Sequence, residues 1–232
     1  MSYLYTAPLL IIFGFLPSLI WLFYYLRKDC HPEPKSMIAR AMFVGILLAP
    51  LAIIAELLYS NVFNDSTSAI FFLWAALIEE FVKYLAVRWA VINNPNFDEP
   101  IDAMIYMISA GLGFAAIENI LVLFHAIQSG AGATAQIWLL RFTGATLLHA
   151  VSSALLGYFL ALSWFYDGHS KKILALGFGI AILAHFAFNE TLLSSGSDMI
   201  GYVSSSAGLL ALIFLISFLF NKLKKRMAEN QI

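Results

Sequence analysis

The chain has 232 residues, of which 61% are hydrophobic and only 12% charged, with a net charge of −1 and a mean hydropathy of +0.83. Soluble domains run near about 45–50% apolar and about 25% charged, so the composition argues against a soluble fold, disorder and a nucleic-acid-binding surface. The single cysteine, Cys30, excludes an intrachain disulfide framework and a cysteine-rich metal cluster. An all-α, polytopic helical membrane bundle is expected. Runs of about 20 apolar residues, enough to cross a hydrocarbon core about 30 Å thick, recur along the chain. The expected spans are Leu4–Leu26, Met37–Tyr59, Ala69–Ile92, Ile101–Gln128, Gln136–Trp164, Lys172–Leu193 and Ile200–Phe220, seven in all. Loop chemistry separates them: the stretches at 27–34, 93–96, 129–132 and 194–197 are rich in Asn, Pro, Gly, Ser and charge. Pro8, Pro17 and Pro50 fall inside spans, which membrane helices tolerate. No linker separates domains and no repeat is visible, so residues 1–232 are read as one integral-membrane domain.

Lys and Arg set the orientation. With the N-terminus outside and the C-terminus cytoplasmic, eleven of the thirteen basic residues fall on the inner side. The exceptions are Lys83, inside a span, and Arg141, near an outer end. The first run has no basic residues before it, so it reads as a retained span rather than a cleaved signal peptide.

Ionisable residues at mid-bilayer cost about 2.5–3.5 kcal/mol each on insertion scales, so each needs a reason. The third span carries Glu79, Glu80 and Lys83, the fourth Glu118 and Asn119, the fifth His149, and the sixth His185, Asn189 and Glu190. Counted from the outer span ends, Glu79, Glu118, His149 and His185 lie about 8 to 13 residues deep. At about 1.5 Å per residue their depths agree within about 7 Å. Taken alone, Glu79 and Lys83 at i,i+4 make an ordinary structural ion pair, and a lone His an interhelical hydrogen bond. Four helices delivering carboxylates and imidazoles to one layer make a site. Glu80 points about 100° away from Glu79, which predicts different environments for the two carboxylates. Small residues at Ser109/Gly113, Ser153/Gly157 and Gly177/Ala181 allow the helices to approach closely. Two chemistries fit the layer. A carboxylate beside His can activate water while a second His or an Asn stabilises an oxyanion. Alternatively Glu118, His149 and His185 hold zinc with an open position for water. H-E-x-x-H and G-x-S-x-G are absent.

Four motifs in chain order carry a resemblance: Glu79-Glu80-Phe81-Val82-Lys83, Phe114 through Glu118-Asn119, Leu148-His149-Ala150, and His185 through Asn189. Together they resemble the PrsW family of bacterial intramembrane proteases, relatives of the CAAX prenyl endopeptidases. The acidic, proline-containing segment Asp29 through Pro34 is also similar to that family's first loop. The resemblance implies a multi-pass plasma-membrane protease making the first cut in a single-span anti-sigma factor, near its extracytoplasmic side. It implies Glu79 and Glu80 as general base and partner, and Lys83 as the group that orients or neutralises them. His149 and His185 complete the site, with Asn189 as oxyanion donor. Glu118 stands where the CAAX enzymes have His, so its role does not transfer from them. The family name implies a metalloprotease, while a metal-free glutamate mechanism suits the same residues. Two rivals remain at this point. An ion- or proton-coupled transporter would also need the buried Glu/His/Lys cluster, but it predicts inverted repeats and broken helices. A b-type haem could use His149 and His185 as axial ligands.

Overall fold

The structure, a computed structural model, describes residues 3–194 and 199–230, with side chains described for 6–192 and 208–229. Its helices are α1 (Tyr3–Leu26), α2 (Lys35–Phe63), α3 (Ala69–Ala90), α4 (Pro100–Ala126), α5 (Ala131–Leu140), α6 (Thr146–Ala161), α7 (Lys171–Ser194) and α8 (Met199–Asn230). Each expected span coincides with one long helical stretch. The fifth is longer than expected and divided, because π-helical turns at Arg141–Ala145 and Leu162–Tyr166 join α5 to α6 and extend α6. The seventh runs on past its expected end, carrying Lys222, Lys224, Lys225 and Arg226 on helix. Most of the expected serine-rich turn at 194–197 lies outside the described residues, which leave out 195–198.

Local signals explain the boundaries. Asn64, in the left-handed region at φ 50°, ends α2, and Ser68 caps α3 by accepting from the Phe71 N–H at 3.1 Å. Glu99 and Asp102 form a reciprocal capping box at the start of α4, with Pro100 in its first turn.

At the centre α4 packs against α6, α2 and α1, while α3 lies between α2 and α7. Residues 100–116 of α4 are buried on every face, so this helix is hydrophobic all round rather than amphipathic. Glycine permits the crossings. A Cβ on Gly113 would stand 2.1 Å from the Met42 carbonyl oxygen, and one on Gly45 would stand 2.2 Å from that of Ala110. The α2–α4 contact is therefore backbone on backbone. Outward, Leu9, Ile12, Phe23, Leu47, Leu58 and Phe214 are exposed, an apolar belt suited to contact with lipid. Among the described residues five helical stretches are long and apolar enough to cross a membrane. Helix α3 falls outside that set because any 18 of its residues contain Glu79, Glu80 and Lys83. These charges face inward, against α4, α6 and α7.

Candidate active site

Four helices and one π turn bring the polar layer together. Glu79, Glu80 and Lys83 of α3, His149 of α6 and His185 of α7 are each at most 5% exposed. Lys83 Nζ donates to Glu80 Oε1 at 2.8 Å and lies 3.4 Å from Glu79 Oε2, so its tighter partner is the i−3 residue rather than the expected i−4 one. Glu80 Oε1 also accepts from Ser152 Oγ and from His185 Nδ1, both at 2.8 Å. Phe114 closes the floor: Lys83 Nζ sits 5.0 Å over its ring, and the ring lies 5.7 Å from that of His149. The two adjacent glutamates thus differ as their helical angle predicts. Glu80 is held by three donors, whereas Glu79 makes no hydrogen bond through Oε2.

Each imidazole is oriented by a carboxylate behind it. Because an ionised carboxylate only accepts, His185 donates through Nδ1 to Glu80 and turns Nε2 inward. His149 donates through Nε2 to Glu118 Oε2 at 2.9 Å and turns Nδ1 inward. The inward nitrogens face one atom: Glu79 Oε2 is 3.6 Å from His149 Nδ1 and 3.7 Å from His185 Nε2. Among the described residues, Glu79, His149 and His185 therefore form a buried group of metal-ligating atoms, all within 4.8 Å of one another. Donors around tetrahedral zinc stand about 3.3–3.5 Å apart at bond lengths near about 2.1 Å, so the set fits that ion. Glu79 Oε2 and His149 Nδ1 are buried without hydrogen-bond partners, the condition in which a cation completes the site.

The carboxylate that stands with the two inward nitrogens is Glu79, where the sequence reading had named Glu118. Glu118 does not face the shared point, because its Oε2 is taken by His149 Nε2 and, at 3.1 Å, by Arg141 Nη2. It stands behind His149, with its side chain 20% exposed. Asn119, whose role the sequence left open, is a tether: its amide donates to Thr146 Oγ1 at 2.9 Å and to the Gly14 carbonyl at 3.3 Å. Asn189 lies one turn beyond His185 and lines the cavity. The residues missed by sequence reasoning are Arg141 and Ser152. Ser152 at i+3 from His149 had a helical signal that a search for partners of Glu80 would have used. A second donor group, Cys30, His31 and Glu99, is largely exposed at the loop end, where His31 Nδ1 already pairs with Glu99 at 2.8 Å.

A cavity of about 390 Å³ opens onto this arrangement, lined by Glu79, Glu118, Arg141, His149, His185 and Asn189. Phe72 and Leu192, near the neighbouring ends of α3 and α7, form part of its wall, so the opening lies at that end of the bundle. The haem alternative draws no support from the site, because the inward nitrogens of both imidazoles face the Glu79 carboxylate, at 3.6 and 3.7 Å.

Comparison with known proteins agrees with the resemblance. Residues 33–220 match the family described as PrsW family intramembrane metalloprotease. The chain is 33% identical over 177 residues to Protease PrsW of Oceanobacillus iheyensis, covering 76% of this chain and 79% of that protein. It is 32% identical over 173 residues to Protease PrsW of Geobacillus kaustophilus, covering 74% of each. Protease PrsW of Bacillus subtilis aligns over 221 residues at 28% identity, covering 94% of this chain and 95% of that protein. No solved structure matches.

Proposed function

This chain belongs to the PrsW family of intramembrane metalloproteases, and we propose that it cuts a peptide bond of a single-span membrane protein at the Glu79–His149–His185 centre. It is a multi-pass membrane protease; the ligand set, the division of roles and the substrate are the proposal. The observation that carries the ligand set is the convergence of two buried imidazole nitrogens, 3.6 and 3.7 Å away, on Glu79 Oε2. Glu79, His149 and His185 would hold zinc, which when bound polarises the scissile carbonyl and lowers the pKa of water.

The chain's own residues do the rest. Glu80, with Lys83 and Ser152 on its Oε1, keeps the His185 proton on Nδ1 and so aims Nε2 inward. Glu118 does the same for His149 through Oε2. Its Oε1 makes no hydrogen bond to a described residue, and the side chain reaches the cavity, so in this reading Glu118 takes a proton from water and returns it to the departing amine. This moves the general base from the Glu79/Glu80 pair that the family resemblance implies to Glu118. Asn189 donates its amide to the developing oxyanion from the cavity wall. With the N-terminus outside, the opening beside Phe72 and Leu192 lies at the outer face, in keeping with a first cut in a single-span anti-sigma factor near its extracytoplasmic side. The transporter alternative draws no support from relatives that are proteases.

The test is cleavage of tagged single-span proteins, anti-sigma factors among them, by purified protein in liposomes, with and without chelator. Wild type should cut an anti-sigma factor, lose activity to chelator and regain it with zinc, while Glu79→Gln and His185→Ala should not cut. Cleavage that survives both substitutions would sink the proposed centre.

A further inference from the structure

Two cation–carboxylate–imidazole relays converge on Glu79, and only one of them has its cation in a recognised motif. On one side Lys83 Nζ contacts Glu80 Oε1 at 2.8 Å, and that same oxygen accepts from His185 Nδ1 at 2.8 Å. On the other, Arg141 Nη2 contacts Glu118 Oε2 at 3.1 Å, and that oxygen accepts from His149 Nε2 at 2.9 Å. Arg141 is itself anchored: its Nε donates to Asn119 Oδ1 at 2.6 Å, and Asn119 is tied to Thr146 and Gly14. Both guanidinium contacts are thus made to neighbouring residues of one helix, α4, in a fork that a lysine could only half reproduce.

Backbone geometry builds this relay. Arg141 opens the π turn, in which the Thr146 N–H bonds to the Arg141 carbonyl, five residues back instead of four. In an unbroken α-helix residues eight apart are about 80° apart around the axis; absorbing one extra residue brings them to within about 20°. The turn therefore puts Arg141 and His149 on the same side, against Glu118. Arg141 was also the basic residue that departed from the expected charge asymmetry near an outer span end, and its place beside Glu118 accounts for it.

We propose that Arg141 is a positioning residue of the site: it fixes the Glu118 carboxylate against His149, so that the imidazole keeps its proton on Nε2 and its Nδ1 lone pair toward Glu79. The inference deepens the proposed function and rests on it for its catalytic meaning, but the tautomer is a property of the chain itself. It is measured on full-length protein labelled with ¹⁵N-histidine, chelator-treated, in micelles at pH 8, with His149 assigned through the resonance lost in His149→Gln. Wild type and Arg141→Lys should hold His149 as the Nε2–H tautomer, and Arg141→Gln should give a mixture of tautomers. Asn119→Ser, which loosens Arg141 while keeping its charge, should move the same resonance part way, and it decides the matter if Arg141→Gln does not accumulate. A doubly protonated or Nδ1–H ring in wild type, or a spectrum unchanged in these variants, overturns the proposal.

Cleavage gives a second readout. Arg141→Gln should lower kcat by about 10–100-fold, the range for lost outer-shell partners, with KM within about twofold. Added to Glu118→Gln it should cost nothing further, because the two act in series. A rise in KM at unchanged kcat would make Arg141 a substrate contact and overturn its positioning role. Wild type that cleaves none of its substrates would count against the protease reading alone, leaving the imidazole spectrum to judge Arg141.

Discussion

Helix α4 carries acidic side chains near both ends, and the protein holds them in opposite ways. At its N-terminal end Asp102 accepts from the backbone N–H groups of Asp98 and Glu99, Glu33 accepts from the Tyr106 hydroxyl, and Asp29 accepts from the N–H groups of His31 and Glu33. These bonds are mostly local, made to main chain, and they fix the 27–34 loop and the start of the helix. Toward the other end Glu118 bonds only to side chains, from residues 23 and 31 positions away. Its imidazole partner turns an unpartnered nitrogen toward Glu79. The same residue types thus make a structural clamp where mostly local backbone groups hold them. They make a site where long-range side chains hold them and leave Glu79 Oε2 and His149 Nδ1 unpartnered, 3.6 Å apart.

Substitutions at the two ends should separate accordingly. Glu79→Gln and Glu80→Gln should each lower the rate of cleavage by about a thousandfold or more while the protein still accumulates in the membrane. Glu99→Gln at the loop end should stay within about threefold in the same assay, and equal losses at both ends would erase the distinction. Lys83→Met leaves Glu79 and Glu80 without their buried counter-charge and should cost about 3–5 kcal/mol of stability, read as a lowered unfolding midpoint in micelles. Gly113→Val drives a side chain into the Met42 backbone and should cost about 1–3 kcal/mol, with the loss relieved little by zinc.

The smallest effect belongs to the clamp. Burial raises the Glu33 carboxyl above its ordinary range, against the opposing hydrogen bond from Tyr106. The folded state then binds that proton more tightly than the unfolded chain does. Its contribution to stability is complete below the ordinary value of about 4.3 and is lost as pH rises through the raised one. Melting curves across that window should show the midpoint declining with pH in wild type and a flatter profile in Glu33→Gln. An identical profile in the two would remove Glu33 from the clamp.

Much of this was legible in the chain. Apolar runs of membrane-crossing length located the helices, and Glu79, Glu118, His149 and His185 announced themselves by sharing one depth on four different spans. What depth and spacing do not encode is which oxygen faces which nitrogen. Glu118 and Glu79 are equally deep, and only the rotamers imposed by Arg141 and His149 put Glu118 behind the imidazole and Glu79 in front of it. Arg141 itself was hidden because face arithmetic assumes an unbroken 3.6-residue period, which the π turn at Arg141–Ala145 interrupts. The longer last helix escaped for a simpler reason: hydropathy marks where lipid ends, and the backbone of α8 continues through its basic residues to Asn230.

The central claim is that Glu79, and not Glu118, joins His149 and His185 at the metal. Zinc-edge X-ray absorption on the purified, zinc-loaded protein tests it directly. The account predicts a first shell of two imidazole nitrogens and carboxylate oxygen at about 2.0–2.2 Å, kept in Glu118→Gln and lost in Glu79→Gln. A shell that survives Glu79→Gln and collapses in Glu118→Gln would contradict it.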